Sequence, residues 1–285
     1  MSVTNAISSV IIVGAIIAAL VGASLAIAGA LMQTITRNPL ASPSLLGINA
    51  GAMFFVVVAV SLLPLSAPAH YVWAALFGAS VAALLVILLS RGRRGELSPL
   101  RVVLAGVAVT AMFVAFSQGL LVIDQQSFES VLYWLAGSVS GRELALVVPL
   151  LPLFGAALLL CTLLVRHANA LLLGDDMATG LGLQATTIKL LLGLVVIVLA
   201  GSSVALSGMI GFVGLIVPHM ARSLFGIDHR WLLPACALLG ASLLLLADVA
   251  SRFLIAPQEI PVGVMTALLG TPFFIYLARR NMAAQ

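Results

Sequence analysis

Charge is what this sequence lacks. Only 8% of its 285 residues are Asp, Glu, Lys or Arg, while 62% are hydrophobic and the mean hydropathy is +1.24. A globule in water needs a polar surface, so this balance excludes a soluble domain. The charge is also missing in blocks: none occurs in 1–36, 38–90, 102–123, 144–165, 190–221, 231–247 or 260–278. Cysteine is scarce too. Cys161 and Cys236 both lie in apolar runs and read as small hydrophobic residues, which excludes a disulfide framework. No Gly-x-x-x-x-Gly-Lys-Ser/Thr loop occurs, so this chain does not bind ATP by that route. The four histidines, at 70, 167, 219 and 229, are scattered, and no cluster of His, Asp or Ser suggests a membrane enzyme, a metal centre or a bound cofactor. The first apolar stretch carries no basic residue ahead of it and is not a cleaved signal peptide.

What is present is a series of long apolar runs. A bilayer core takes roughly 20 apolar residues per helix. Only helices and closed barrels satisfy their backbone in lipid, and barrel strands would alternate apolar with polar. The sequence therefore predicts an all-α, polytopic transmembrane helical bundle. About nine spans are expected, at 6–35, 44–63, 69–90, 101–123, 144–165, 187–206, 209–224, 231–251 and 262–279. Pro64 and Pro68 mark where the long block 38–90 divides. The seventh run is short and carries Pro218. Gly22-x-x-x-Ala26 and Ala237-x-x-x-Ala241 offer close helix contact without functional weight.

Basic residues set the orientation. With the C-terminus in the cytoplasm, Arg37, Arg91, Arg93, Arg94, Arg101, Arg166, Lys189, Arg222, Arg230, Arg279 and Arg280 all lie inside. Of the 13 basic residues only Arg142 and Arg252 then face outward. The net charge of +4 thus reflects membrane topology rather than nucleic-acid binding. An odd number of spans places Met1 outside, which predicts a preceding helix not included in this chain or a misassigned start.

Four segments interrupt the apolar pattern. Asn38-Pro39 makes a tight break between two uncharged runs, at the membrane surface. The segment 166–189 reads as two short interfacial helices: Gly174 ends the first, Asp175 caps the second, Asp176 favours its first turn, and Gly180 or Gly182 closes it. It is either an ordinary interfacial loop or, given its exposed leucines, a docking site for a protein. No His or third carboxylate accompanies Asp175 and Asp176, so a metal is not expected there. In 207–222, Gly208, Gly211 and Gly214 followed by Pro218-His219 break a helix at membrane depth, as a packing kink or as part of a translocation path. His219 reads as an interface residue rather than a ligand. Asp248 and Arg252, at i and i+4, share a helix face. They form a structural ion pair, or Arg252 reaches outward to an acidic partner.

Taken in order, these segments resemble the FecCD-type permease family, the membrane subunits of ATP-driven importers for iron–siderophore complexes and vitamin B12. The resemblance rests on Asn38-Pro39-Leu40-Ala41, Leu46-Gly47-Ile48-Asn49-Ala50-Gly51-Ala52 and Tyr133-Trp134-Leu135-Ala136-Gly137-Ser138. It continues through Leu173-Gly174-Asp175, Gly211-Phe212-Val213-Gly214-Leu215-Ile216-Val217-Pro218-His219 and Asp228-His229-Arg230. Ala247-Asp248, Glu259-Ile260-Pro261-Val262-Gly263 and Gly270-Thr271-Pro272-Phe273-Phe274 complete it. Residues 37–52 look most like ferric-citrate and related siderophore permeases; 226–246 also look like the vitamin B12 permease.

The resemblance implies a plasma-membrane (bacterial inner-membrane) subunit of about ten helices, with 1–285 a single permease domain lacking the family's first helix. It also implies a second permease subunit, identical or homologous, two ATP-binding subunits that carry out hydrolysis, and an extracytoplasmic solute-binding protein. On that pattern Leu172, Gly174, Asp175, Asp176, Gly180 and Gly182 belong to ATPase-coupling helices. Asn38 and Leu40 belong to the cytoplasmic gate, Gly211, Gly214 and Pro218 to the path, and Arg252 to binding-protein docking. The family's Arg-x-Pro-Arg motif is absent, the corresponding stretch reading Ile11-Ile12-Val13-Gly14. The cargo implied is an iron(III)–siderophore complex of the citrate or hydroxamate type, with vitamin B12 or haem the alternative. A secondary transporter would need coupling-ion residues in several spans, and only Asp248 qualifies.

Overall fold

Every apolar run folds as a helix in the computed structural model of the chain. It describes residues 3–62, 67–92, 98–123, 134, 136–139, 143–180, 182–254 and 260–282. Met1, Pro64, Arg93, Arg94, Tyr133, Leu135, Arg142 and Glu259, used in the sequence reading, lie outside the described residues.

Helix α1 spans Val3–Thr36. A single 3₁₀ turn at Pro43–Leu46 leads into α2, Ile48–Ser61. Then come α3, Pro68–Ser90, with proline in its first turn, and α4, Pro99–Ile123. Proline is favoured there because its missing N–H has no helical partner to lose. Helical turns at Leu144–Val147 and Val148–Leu150 run straight into α5, Leu151–Leu172. The remaining helices are α6, Asp175–Gly180; α7, Ala185–Ser207; α8, Val213–Phe225; α9, His229–Phe253; and α10, Val262–Met282. Among the described residues six stretches are long and apolar enough to cross a membrane: Ile11–Thr36, Ala69–Ser90, Pro99–Ile123, Leu144–Leu172, Ala185–Ser207 and His229–Phe253. Shorter apolar helices cover Ile48–Ser61, Val213–Phe225 and Val262–Ile275. Each of the nine expected spans holds a helix among the described residues, and the chain is a multi-pass, all-helical membrane protein.

Three local expectations are corrected. The segment 166–189 holds one short helix, not two, because nothing between Arg166 and Leu172 interrupts α5. Gly174, at φ 114°, makes the break. Asp175 does not cap α6. The Gly174 carbonyl accepts the Ala178 N–H, and the Asp175 carboxylate is drawn into ion pairs described below. Of the two glycines expected to close the helix, Gly182 does so. At φ 78° Gly182 donates to Thr179 O while Leu183 donates to Ala178 O, the paired bonds of a Schellman end. Pro218, finally, does not break its helix but lies buried inside α8; the break comes earlier, at 208–212.

Lipid is as apolar as leucine, so helices associate in it through close packing. Here the backbones touch at glycines. α1 and α9 run antiparallel, with Thr34 beside His229 at one end, Gly22 against Gly240 midway and Gly14 against Arg252 at the other. Ala26 completes the contact at Gly240. α2 and α3 meet likewise at Gly51 and Gly78, and α1 meets α8 at Gly29 and Gly214. α7 is the central helix: 78% of its apolar window is buried, against 56% for α1 and 44% for α9.

A methyl group on Gly22 would land on the Gly240 carbonyl, whereas one on Gly119 of α4 would meet nothing within 4 Å. Gly22→Ala is therefore expected to cost about 1–3 kcal/mol through forced separation of α1 and α9. Gly119→Ala is expected to be neutral or stabilising. Thermal unfolding of the two variants in one detergent checks this.

Candidate functional site

The loop after α1 is built by local hydrogen bonding. Arg37 leaves the helix at φ 50°. The Asn38 side-chain oxygen accepts the Leu40 N–H at 2.9 Å and its carbonyl accepts the Ala41 N–H at 3.1 Å. This is an Asx-type turn, with Pro39 where its fixed φ suits the second position. Asn38 is exposed and Leu40 half-buried. The loop then enters the protein. Pro43 is buried, and Gly47, at φ 71°, both ends the 3₁₀ turn and starts α2.

The loop meets the broken helix between α7 and α8. Gly208 at φ 73° and Phe212 at φ 67° turn the chain through an extended segment inside the bundle. Phe212 holds a conformation rare outside glycine, and its ring is thereby laid over Gly270 of α10, where any side chain would collide with it. The freed backbone is met by other backbone. Ser138 N–H donates to Ser207 O at 2.8 Å, and Gly263 N–H to Gly137 O at 3.3 Å. Gly137, Gly208 and Gly263 let segments 136–139, 208–210 and 261–263 lie main chain against main chain. Beside the break, a cavity of about 50 Å³ is lined by Ser42, Pro43, Asn49, Gly211, Phe212 and Gly214. Pro43 packs so closely on Gly214 that an added methyl there would lie 3.2 Å from its ring.

Proline at 218 has no N–H, so the Gly214 carbonyl loses its helical partner. The Gln33 side-chain amide of α1 approaches that carbonyl and the Leu215 carbonyl, both at 3.4 Å. Gln33 Oε1 in turn accepts from Arg222 at 2.5 Å.

A second polar cluster joins α5, α9 and α1. Asn169 donates to Asp228 at 2.6 Å, which fixes its amide orientation. Its oxygen then accepts from the His229 main-chain N–H at 2.9 Å and from Nδ1 at 2.7 Å. His229 Nε2 lies 2.8 Å from the Thr34 hydroxyl, which also lies within donating distance of the Ala30 carbonyl, at 2.9 Å. Asp228 also caps α9 through the Arg230 N–H at 2.9 Å. That backbone bond, with the Asn169 amide second, holds its carboxyl below the ordinary value of 3.8.

The end of α5 and α6 together present Leu172, Leu173 and Met177 as exposed apolar side chains, with Asp176, Gly180 and Gly182 exposed beside them. Asp175 is turned inward. One carboxylate oxygen lies 2.6 Å from Arg37 Nη2, the other 2.6 Å from Lys189 Nζ. A cleft of about 610 Å³ opens alongside, lined by Ser98, Pro99, Asp176, Thr179 and Gln184 among others. Among the described residues no group of three or more His, Cys, Asp or Glu gathers as a metal centre would require.

Arg252 sits at the far end of α9 from these clusters. It pairs with Asp248 at 3.0 Å, and an added methyl on Gly14 would approach its guanidinium to 2.9 Å. Its side chain keeps 16% exposure.

The structure therefore brings three predicted groups together. Asn38 and Leu40 adjoin α6 through Arg37–Asp175, and adjoin Gly211 and Gly214 through Pro43. Arg252 stands apart from them. Sequence reasoning missed Gln33, Asn169, and the pairing of Asp175 with Arg37 and Lys189. The last was signalled: all three charges border apolar runs on the face that the basic residues define as cytoplasmic.

A model of the FecCD transport family matches residues 2–280. The chain is 49% identical over 268 residues to the siderophore transport system permease YfiZ of Bacillus subtilis, covering 94% of this chain and 80% of that protein. It is 40% identical to the Fe(3+) dicitrate permease FecC of Escherichia coli, over 93% and 80% of the two chains. It is 41% identical to the hemin permease HmuU of Yersinia pestis, with the same coverage of each. An inward-facing metal-chelate type ABC transporter superposes with a TM-score of 0.84 at 30% identity, over 94% of this chain and 86% of that one.

The Asp228 cap gives a pH-dependent expectation. Its depressed pKa means the stabilisation by its charge is complete above 3.8 and is lost as pH falls below that value. The difference in melting temperature between the native chain and Asp228→Ala should stay constant from neutral pH to about pH 4 and shrink below it. Melting curves in detergent across that range test the sign.

Proposed function

Because the chain belongs to the FecCD transport family, we infer that it is the permease subunit of an ATP-binding-cassette importer that carries an iron(III)–siderophore complex across the bacterial inner membrane. The observation that carries this reading is the joining of a mid-membrane helix break to a cytoplasmic loop and, beyond it, to an exposed short helix. A carrier needs a path, a gate and an input, and residues 208–214, 37–46 and 172–182 supply them, the middle segment touching each of the other two. Gly211, Gly214 and Pro218 lie on the path, Asn38 and Leu40 at the gate. Leu172, Gly174, Asp175, Asp176, Gly180 and Gly182 form the surface that docks an ATP-binding subunit.

The assembly this requires is two ATP-binding subunits, a second permease and an extracytoplasmic binding protein; hydrolysis belongs to the first of these. On the outer face, Asp248 holds Arg252 in place while its partly exposed guanidinium receives an acidic side chain of the binding protein. Such a rim charge sets register and on-rate more than affinity. The relatives named for siderophore and ferric citrate transport support an iron chelate as cargo. The hemin relative, at 41% identity, keeps haem as a second reading.

Reconstitution with these partners in proteoliposomes, supplied with ferric citrate, a ferric trihydroxamate or hemin, tests the reading. ATP-dependent accumulation of an iron chelate supports it; accumulation of hemin alone moves it to the second cargo. Gly180 has nothing within 4 Å of an added methyl, so Gly180→Val alters the docking surface without disturbing the fold. It is expected to lower uptake at unchanged membrane level. Arg252→Glu should weaken binding-protein capture, while Asp248→Asn, which keeps the cation, should weaken it less.

A further inference from the structure

We propose that Arg37 is a positioning residue for transport: through Asp175 it ties α6 to the loop 37–46, so that a displacement of α6 moves that loop. The inference rests on the permease reading above and assigns the contact that transmits the stroke.

The argument begins with Lys189. Its side chain is 5% exposed, and its ammonium pairs with Asp175 at 2.6 Å. A cation so placed holds its carboxylate firmly, because separation would leave a buried charge uncompensated. One Asp175 oxygen is thereby fixed to α7, and the other is presented to Arg37, also at 2.6 Å. Arg37 is the residue at which the chain leaves α1, at φ 50°. From it the loop runs through the Asn38 turn to Pro43, which packs on Gly214 at the start of α8. The chain of contacts from α6 to the helix break is thus continuous. It passes through one ion pair between half-exposed partners, with side-chain exposures of 43% and 45%.

The second cluster supplies the fixed point. Asn169, on the last turns of α5, is bonded to Asp228 and His229, and His229 to Thr34, three residues before Arg37. α5 is therefore anchored to α1 and α9 just before the chain enters α6. Motion of α6 is confined to a swing about that anchor, and Arg37 lies where the swing is felt. A pair between half-exposed groups adds little to folding. Its placement between two functional segments is what requires explanation.

The test measures chelate imported and ATP hydrolysed in the same proteoliposomes, with the full importer assembled. The probe is ferric citrate, a ferric trihydroxamate or hemin, whichever the unmodified chain imports fastest. Arg37→Gln is expected to lower the chelate moved per ATP about tenfold, a loss in the range of ordinary coupling effects, while hydrolysis continues. Arg37→Lys, which restores a cation, should recover most of the ratio. Should Arg37→Gln fail to assemble, the double variant Asp175→Asn with Lys189→Met removes the same link without stranding a charge, and the same fall in ratio is expected. Uptake and hydrolysis falling in proportion, or an unchanged ratio in a chain that assembles, overturns the inference and leaves the permease reading standing. Failure of both variants to assemble assigns these residues to folding and overturns it equally. An unmodified chain that imports none of the three chelates overturns the permease reading itself.

Discussion

A helix interrupted within an apolar slab leaves peptide groups that lipid cannot solvate, and each must find a partner in protein. The rest of this structure is arranged around that requirement. Between Ser207 and Val213 the main chain is met by segments 136–139 and 261–263. Below the break, the carbonyl freed by Pro218 is met by Gln33, which Arg222 holds in turn. α7 is the most buried span because it must deliver the chain to this point. Glycine recurs at 137, 208, 214 and 263 because main chain can meet main chain only where no Cβ intervenes.

The same requirement separates two kinds of polar contact. Gln33 meets backbone carbonyls through its neutral amide at 3.4 Å, and Asn169, His229 and Thr34 meet at 2.7–2.8 Å, contacts in which geometry decides the energy. The Asp175 link uses full charges at the edge of the bundle, where water reaches two of the three partners. Neutral bonds suit a joint that stays closed. Charges at a wet edge suit one that shifts, since they tolerate changes of distance and angle that would sever a neutral bond.

How much of this was legible in the sequence follows from the length scale of each signal. The spans were legible because an uncharged run such as 190–221 has few folds open to it in lipid. The tight turn at Asn38 was legible because Asn, Pro and the following N–H act locally. Gly174 was read correctly as a break, since the consequence of φ 114° stays within its own turn. Errors arose where a residue had a local use and a distant one. Asp175 matched a cap, but two cations far along the chain at 37 and 189 compete for it and prevail. Pro218 matched a breaker, but Gln33 from α1 repairs the bond it removes, and the helix continues. Gln33 and Asn169 gave no local signal, as their partners lie on other helices.

The Gly22–Gly240 contact bears on how the protein is made. α1 emerges from the ribosome before its partner α9, which follows after some two hundred residues, on the order of ten to forty seconds later at ~5–20 residues per second. During that interval the stretch of α1 that will meet Gly240 has lipid, or the insertion machinery, along it. Its uncharged sequence lets it wait there, and Gln33 and Thr34 lie within the last turn, close enough to the surface to be wetted meanwhile. Folding of the bundle then includes a closing event: α9 returns to α1, and the buried contact of Thr34 with His229 forms with it.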